Sequence, residues 1–393
     1  MIWKTAAAIM LLATTQAGAQ QRTNVGASTK NKGAITIPLQ PASWEDENKI
    51  ATFTTHKSVP AVILKGKGQL VLKDFNMTDG IIEYDMEPME KTFTGIYFRR
   101  SSALESEIFY FRADNAGHPE AFYATQYAPM LSGTNMWDMY HHFQAGASYQ
   151  LHQWNHVKLV ISGKQLAVFV NDMEHPILQV PQLEGNSQSG SIAFDGPVAI
   201  ANLMVQPGQP AGLSPLPGID PVSNDTRYLR SWLVSQPAII PAGTDIFSSR
   251  KYTANSTGWD TIRAERRGLI NLTRKFGASK ERRIVWLKTS IQANADLNKQ
   301  LRLGFSDDIW IYLNGSLLLA DKNTFGALIM KTPAGRCSLE NTTLTLPLKK
   351  GGNELLIGVA NDFYGWGIVA RWDDVEEIIM NYELRITNVE AKN

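Results

Sequence analysis

The chain is written in a period of two. Ile82, Tyr84 and Met86 are interleaved with Glu83, Asp85 and Glu87, and Leu166, Val168 and Val170 with Ala167, Phe169 and Asn171. Successive side chains of an extended strand point to opposite faces, so this spacing assigns alternate residues to opposite sides of a sheet. The first run reads as a half-buried strand. The second is apolar on both faces and reads as a strand with neighbours on either side. Turn signals separate the runs at Thr78-Asp79-Gly80, Ser162-Gly163-Lys164 and Gly185-Asn186-Ser187. In the C-terminal half, residues 309–313, Asn314-Gly315 and 316–319 spell a hairpin closed by a two-residue turn. Residues 284–287, 300–304, 341–348 and 354–360 read as further strands, and neither half offers a long amphipathic helix. The expected fold class is all-β: two antiparallel β-sandwiches of jelly-roll type.

The division between them falls at a composition change. Residues 206–226 hold five prolines and three glycines, the composition of a semi-extended linker. The organisation expected is a signal peptide at 1–19, a polar disordered leader at 20–36, a sandwich at 37–206, a linker at 207–226 and a second sandwich at 227–393, each sandwich folding independently. Lys4, the apolar run 6–13 and the small residues Ala17-Gly18-Ala19 form the signal-peptide pattern. The run is too short to span a bilayer, and no later stretch reaches that length. The expectation is an exported protein, periplasmic or extracellular.

Charge and cysteine content narrow the chemistry. Without residues 1–19 the basic and acidic residues balance, so nothing calls for nucleic acid or an anionic membrane as partner. Cys337 is the only cysteine, which excludes an internal disulfide and cysteine-based metal or redox sites. His141 and His142 are adjacent, and strand neighbours face opposite ways, so they do not read as a metal clamp. His152 and His156 have helical spacing in a strand-like setting. No nucleophile elbow, dinucleotide fingerprint or phosphate loop is present. No cofactor is expected, and no motif supports a structural calcium.

What the sequence does concentrate is aromatic residues among charges. Nine of the 36 residues 108–143 are aromatic, against 9% for the whole chain. Phe109, Tyr110, Phe111, Phe122, Tyr123, Tyr127, Trp137, Tyr140 and Phe143 stand among Arg112, Asp114, His118, Glu120, Asp138, His141 and His142. A surface that stacks flat faces and hydrogen-bonds around them keeps both residue classes, and sugar rings are the commonest ligand of that character. Aromatics covering an ordinary sheet would look the same. Residues 95–100 and 107–112 read as neighbouring strands, so Tyr123, Tyr127, Trp137 and Tyr140 are expected around one groove with Arg99, Glu107 and Arg112. Eight basic residues between Arg263 and Arg283 against two acids offer an acidic polysaccharide a surface, or are a solvated face or interdomain contact.

The segments 79–85, 95–99 and Trp154-Asn155-His156-Val157-Lys158-Leu159-Val160, closed by 190–194 and 201–203, resemble the concanavalin A-like lectin/glucanase fold over about residues 40–206. Laminin G-like and 3-keto-disaccharide hydrolase-like families are the nearest within it. The hydrolase-like members carry Asn-Ser where Phe93-Thr94 stand. Residues 268–272, 306–315, 346–351 and Gly365-Trp366-Gly367 resemble a galactose-binding-like jelly roll, a common accessory module. There Trp366 and Arg371 are the candidates to face a ligand, against packed-core and ion-pair alternatives.

These resemblances imply carbohydrate binding through the first sandwich, with glycoside hydrolysis on the same scaffold as the alternative. For hydrolysis the E-x-D-x-E run resembles that of retaining glucanases. By that likeness Glu83 would be the nucleophile, Glu87 the acid/base and Asp85 the residue that tunes them, and an ordinary half-exposed strand has the same spacing.

Overall fold

The computed structural model describes residues 33–241, 243–244 and 258–380; the one α-helix among them is the five-residue Leu272–Phe276 and the rest is β-structure and connections. The expected signal peptide, and the leader as far as residue 32, lie outside the described residues. Ile35 and Thr36, at the end of that leader, pair antiparallel with Val205 and Met204. No helix among the described residues is long and apolar enough to cross a membrane.

Two sheets make the first sandwich. One runs Leu178–Val180, Gln165–Val170, Asn155–Ser162, Gly80–Pro88, Val198–Pro207, Val59–Leu64 and Ala51–His56 in spatial order. The other runs Thr134–Asn135, Thr125–Leu131, Ser106–Arg112, Phe93–Arg100, Ser191–Asp195, Leu70–Leu72 and Trp44–Glu45. All pairings are antiparallel. The period of two does the sorting: Tyr84 and Met86 turn into the core while Glu83 and Asp85 stay half-exposed. From the facing sheet come Ile96, Phe98, Phe109, Phe111, Tyr127 and Phe194, all buried.

The second sandwich packs a sheet of Trp259–Arg263, Ser231–Ser235, Arg283–Ala293, Gly351–Ala360, Asp308–Leu313 and Ser316–Lys322 against a sheet of Leu269–Asn271, Gly367–Trp372, Leu297–Ser306 and Thr342–Leu348. Trp232, Phe305, Trp366 and Trp372 fill its core. The 309–319 hairpin forms with Asn314 and Gly315 at φ of 50° and 80°, the two positive values that its turn requires.

The proline-rich segment lies along the first sandwich. Lys164 N donates to Pro215 O at 3.1 Å, and Gly218 N to Pro181 O at 2.8 Å. From Ala34 onward the described residues form one compact unit. The first core continues into Tyr228, Leu269, Cys337 and Val369 of the second sandwich. Around that apolar contact, the Tyr140 hydroxyl donates to Glu265 Oε2 at 3.1 Å and Arg274 Nη2 donates to Glu184 O at 2.6 Å. Half of the eight basic residues of the run 263–283 are spent here and nearby, with Arg266 beside Glu184, Arg274 on Glu265, Lys275 on Asp260 and Arg282 on Asp308.

Candidate functional site

Because inward residues alternate with outward ones, the sheet that buries Glu107, Phe109 and Phe111 must present Ile108, Tyr110 and Arg112 on its other side. Phe93, Gly95 and Tyr97 share that outer face, as do Ala128 and Met130 on one flank and Ala193 and Asp195 on the other. Across the central strand Asp195 stands opposite Gly95, and Gly95 opposite Tyr110. Gly95 lets its neighbours approach closely at that level, since a Cβ there would come within 3.1 Å of Tyr110 Cβ and 3.3 Å of Asp195 Oδ1.

The second sandwich roofs this face. Phe325 and Arg336, from the connection after Ser316–Lys322, and Phe363 and Tyr364, from the connection before Gly367–Trp372, close a cavity of about 540 Å³ over it. Seven aromatic residues line the cavity: Phe93, Tyr97, Tyr110, Trp137, Phe325, Phe363 and Tyr364. Trp137 meets Phe325 edge-on at 5.3 Å between ring centroids, and Phe325 stacks near-parallel on Phe363 at 6.2 Å. A smaller polar cavity of about 240 Å³ adjoins it through the shared residues Gly133, Phe363 and Tyr364, and is lined by Thr134, Thr273, Ser279, Asn361 and Asp362.

Polar groups punctuate the aromatic wall. The Tyr97 hydroxyl donates to Asp195 Oδ2 at 2.7 Å. Burial pushes the Asp195 carboxyl up to about 6 despite that hydrogen bond and one from the Gly95 N–H. Arg112 is fixed by donating to Tyr123 O at 2.6 Å, to the Tyr110 hydroxyl at 3.1 Å and to Gln126 Oε1 at 2.5 Å, with its guanidinium carbon 5.1 Å from the Tyr110 ring centroid. Arg336 lies 5.1 Å from the Trp137 ring centroid and donates from Nη1 to Ala334 O, while its Nε is buried with no hydrogen-bond partner. Burial and the neighbouring Arg112 charge lower the Arg336 pKa from its ordinary value.

Of the residues named as ligand or catalytic candidates, the structure brings Trp137 and Arg112 into this cavity, along with Tyr110 of the aromatic run. The single groove expected around Arg99, Glu107, Arg112, Tyr123, Tyr127, Trp137 and Tyr140 does not form, because these residues fall on both phases of the strands. Glu107 and Tyr127 point inward and bond to each other, the Tyr127 hydroxyl donating to Glu107 Oε2 at 2.6 Å. Arg99 is buried, donating to Thr78 O, Asp79 Oδ1 and Gly163 O at 2.8 Å each. Tyr140 is spent on Glu265 in the contact between sandwiches. Tyr123 borders a different cavity of about 550 Å³ with Phe122, His141 and His142, on which Arg336 also abuts.

In the second sandwich Trp366 is buried in the core, its indole N–H donating to Val359 O at 3.2 Å. Arg371 lies 5.9 Å from the Tyr228 ring centroid. The three carboxylates of the E-x-D-x-E run sit on the other sheet, away from the cavity lining, each near a basic side chain. His156 Nδ1 is 2.7 Å from Asp85 Oδ1, and its Nε2 is 3.9 Å from Glu83 Oε2. Glu87 is buried between His56 at 3.0 Å and Lys57 at 2.9 Å. Burial alone would raise Asp85, but hydrogen bonds from His156 and Asn202 hold it below the ordinary carboxylate value.

The lining residues outside the expected groove are of two kinds. Phe93, Tyr97, Tyr110 and Asp195 carried a usable signal, their shared strand phase with Arg112. Phe325, Arg336, Phe363 and Tyr364 carried none, since they arrive from the other sandwich.

No family model matches the chain, and no curated protein matches it. Among solved structures, a carbohydrate-binding module from Bacillus subtilis is similar at 10% identity and a TM-score of 0.27, covering 44% of this chain and 91% of that one. A galectin from Caenorhabditis elegans is similar at 13% identity and a TM-score of 0.26, over 41% of this chain and 99% of its own. A Bacillus licheniformis β-glucanase is similar at 8% identity and a TM-score of 0.30, over 46% of this chain and 100% of its own.

Proposed function

We propose that this chain is an exported carbohydrate-binding protein and that its ligand occupies the cavity between the two sandwiches. The observation that carries the reading is the lining: seven aromatic residues around about 540 Å³, broken by a few fixed polar groups. That volume suits a small number of sugar rings, and rings set among hydrogen-bonding groups suit a ligand with apolar faces and a polar rim. The pattern at residues 1–19 supports export to the periplasm or beyond.

Binding is favoured over hydrolysis by the count of carboxylates. Glycosidases of both stereochemical outcomes generally use a pair flanking the scissile bond. Asp195 is the one carboxylate among the described residues lining the cavity. A second reading, hydrolysis with Asp195 as general acid, draws on its carboxyl lying near 6, a value suited to proton transfer near neutrality.

Titration of the purified protein against a glycan panel tests the reading. Trp137→Ala is expected to weaken binding by about tenfold or more while moving Tm by only a few degrees, as loss of a ring stacked on ligand should. A panel with no binder, or a variant that binds as well as wild type, would refute the assignment. Turnover of the bound glycan that Asp195→Asn abolishes would replace binding by hydrolysis.

A further inference from the structure

Two guanidinium groups line the cavity, and neither forms an ion pair with a carboxylate among the described residues. Arg112 is 9% exposed, and its three hydrogen bonds go to a carbonyl, a phenol hydroxyl and an amide oxygen. Arg336 has its Nε buried and unpartnered. Four basic residues of the 263–283 run differ, since Arg266, Arg274, Lys275 and Arg282 each lie against an acid. Desolvating a cation without a counter-charge is costly, and two such cations in one cavity make its interior electropositive.

The carboxyls nearby do not supply that counter-charge. Asp195 lies beyond the central strand from Arg112 and spends its Oδ2 on Tyr97. Asp138 is buried at 1% exposure and accepts from the Gly365 and Met139 N–H groups. Its burial and the neighbouring Asp307 hold it well above the ordinary carboxylate range, which favours the neutral acid.

We infer that the saccharide bound in this cavity is acidic, and that Arg112 and Arg336 receive a ring carboxylate of a uronic acid while Trp137 and Tyr110 flank the sugar. The inference rests on the carbohydrate reading above and adds the ligand's charge class. Each guanidinium sits over a lining ring, Arg112 over Tyr110 and Arg336 over Trp137, so an anion held by the cations is brought beside the aromatic wall. A guanidinium offers a planar pair of N–H groups that matches a carboxylate.

Calorimetric titration of the full chain tests this with trisaccharides of galacturonate, glucuronate and mannuronate, their carboxyl-reduced neutral counterparts, and sulfate esters of those neutral sugars. At least one uronate is expected to bind about tenfold or more tighter than its neutral counterpart, with an affinity that falls as salt rises. Arg336→Gln should abolish that preference, lowering uronate affinity by a larger factor than it lowers the affinity of the neutral sugar. Arg336→Lys, which keeps the charge without the planar fork, should retain only part of it. Arg112→Lys should likewise lower uronate affinity; it also keeps the charge in a network whose outright loss endangers folding.

Neutral sugars binding as tightly as uronates, still dependent on Trp137, would overturn the inference and leave the carbohydrate reading standing. A preference for the sulfate esters would overturn the carboxylate assignment. Failure of every saccharide to bind would overturn both.

Discussion

Asp307 accepts hydrogen bonds from two consecutive backbone N–H groups, Asp362 at 2.5 Å and Phe363 at 2.6 Å. One buried carboxyl at the end of the Leu297–Ser306 strand therefore holds the connection that brings Phe363 and Tyr364 to the cavity wall. Ser306 Oγ, next to it, donates at 3.0 Å to Asp307 Oδ1 and lies 3.4 Å from Asp138 Oδ2, so the same cluster touches the first sandwich. The roof of the cavity and the contact between sandwiches share these groups.

Stability should fall as pH rises from 5 to 8. Burial raises the Asp307 carboxyl to about 7 and, with the charge of Glu265, Glu184 to about 7. A carboxyl whose folded-state pKa is raised contributes fully below its unfolded value near 4, and that contribution is lost as pH rises through 7. Differential scanning calorimetry across this range is expected to show Tm dropping, and Asp307→Asn should flatten the dependence. A Tm that rises between pH 5 and 8 would contradict this account.

Binding of an acidic saccharide should be tighter at pH 5 than at pH 8. The Asp195 carboxyl, at about 6, is largely protonated at the lower value and repels an anion at the higher. Tyr97→Phe removes a hydrogen bond that favours the carboxylate, so the midpoint of the pH dependence should move upward. Carboxyl-carbon NMR titration of wild type and variant reads the midpoint directly.

Gly95→Ala should reduce ligand affinity more than stability. The new Cβ would press between Tyr110 and Asp195, at 3.1 and 3.3 Å from their nearest atoms. Those neighbours must give by a few tenths of an ångström, and since Tyr110 and Asp195 both line the cavity, its wall is displaced. Paired titration and thermal melts separate the two effects, with affinity expected to fall by about tenfold and Tm by a few degrees.

A fragment of residues 37–206 should bind saccharide far more weakly than the whole chain, even when soluble. It retains Phe93, Tyr97, Tyr110, Arg112, Trp137 and Asp195 but lacks Phe325, Arg336, Phe363 and Tyr364. Equal affinity of fragment and whole chain, measured by the same titration, would place the ligand elsewhere on the first sandwich.

The sequence by itself determined the class of fold, because strand periodicity and turn chemistry are local. The alternation of Glu83-Tyr84-Asp85-Met86 and the Asn314-Gly315 turn need no distant residue to be read, and both take the expected form. It also marked Trp137 and Arg112, whose surroundings in sequence are rich in rings and charge. Which neighbours they would have was beyond it. Glu107 and Tyr127 stand one residue out of phase with the cavity face, and the strand boundaries that settle phase depend on register across the sheet. The roof is a tertiary fact altogether: Phe325 and Arg336 are about two hundred residues from Trp137 in the chain, and only the packing of one sandwich on the other sets Arg336 against its ring.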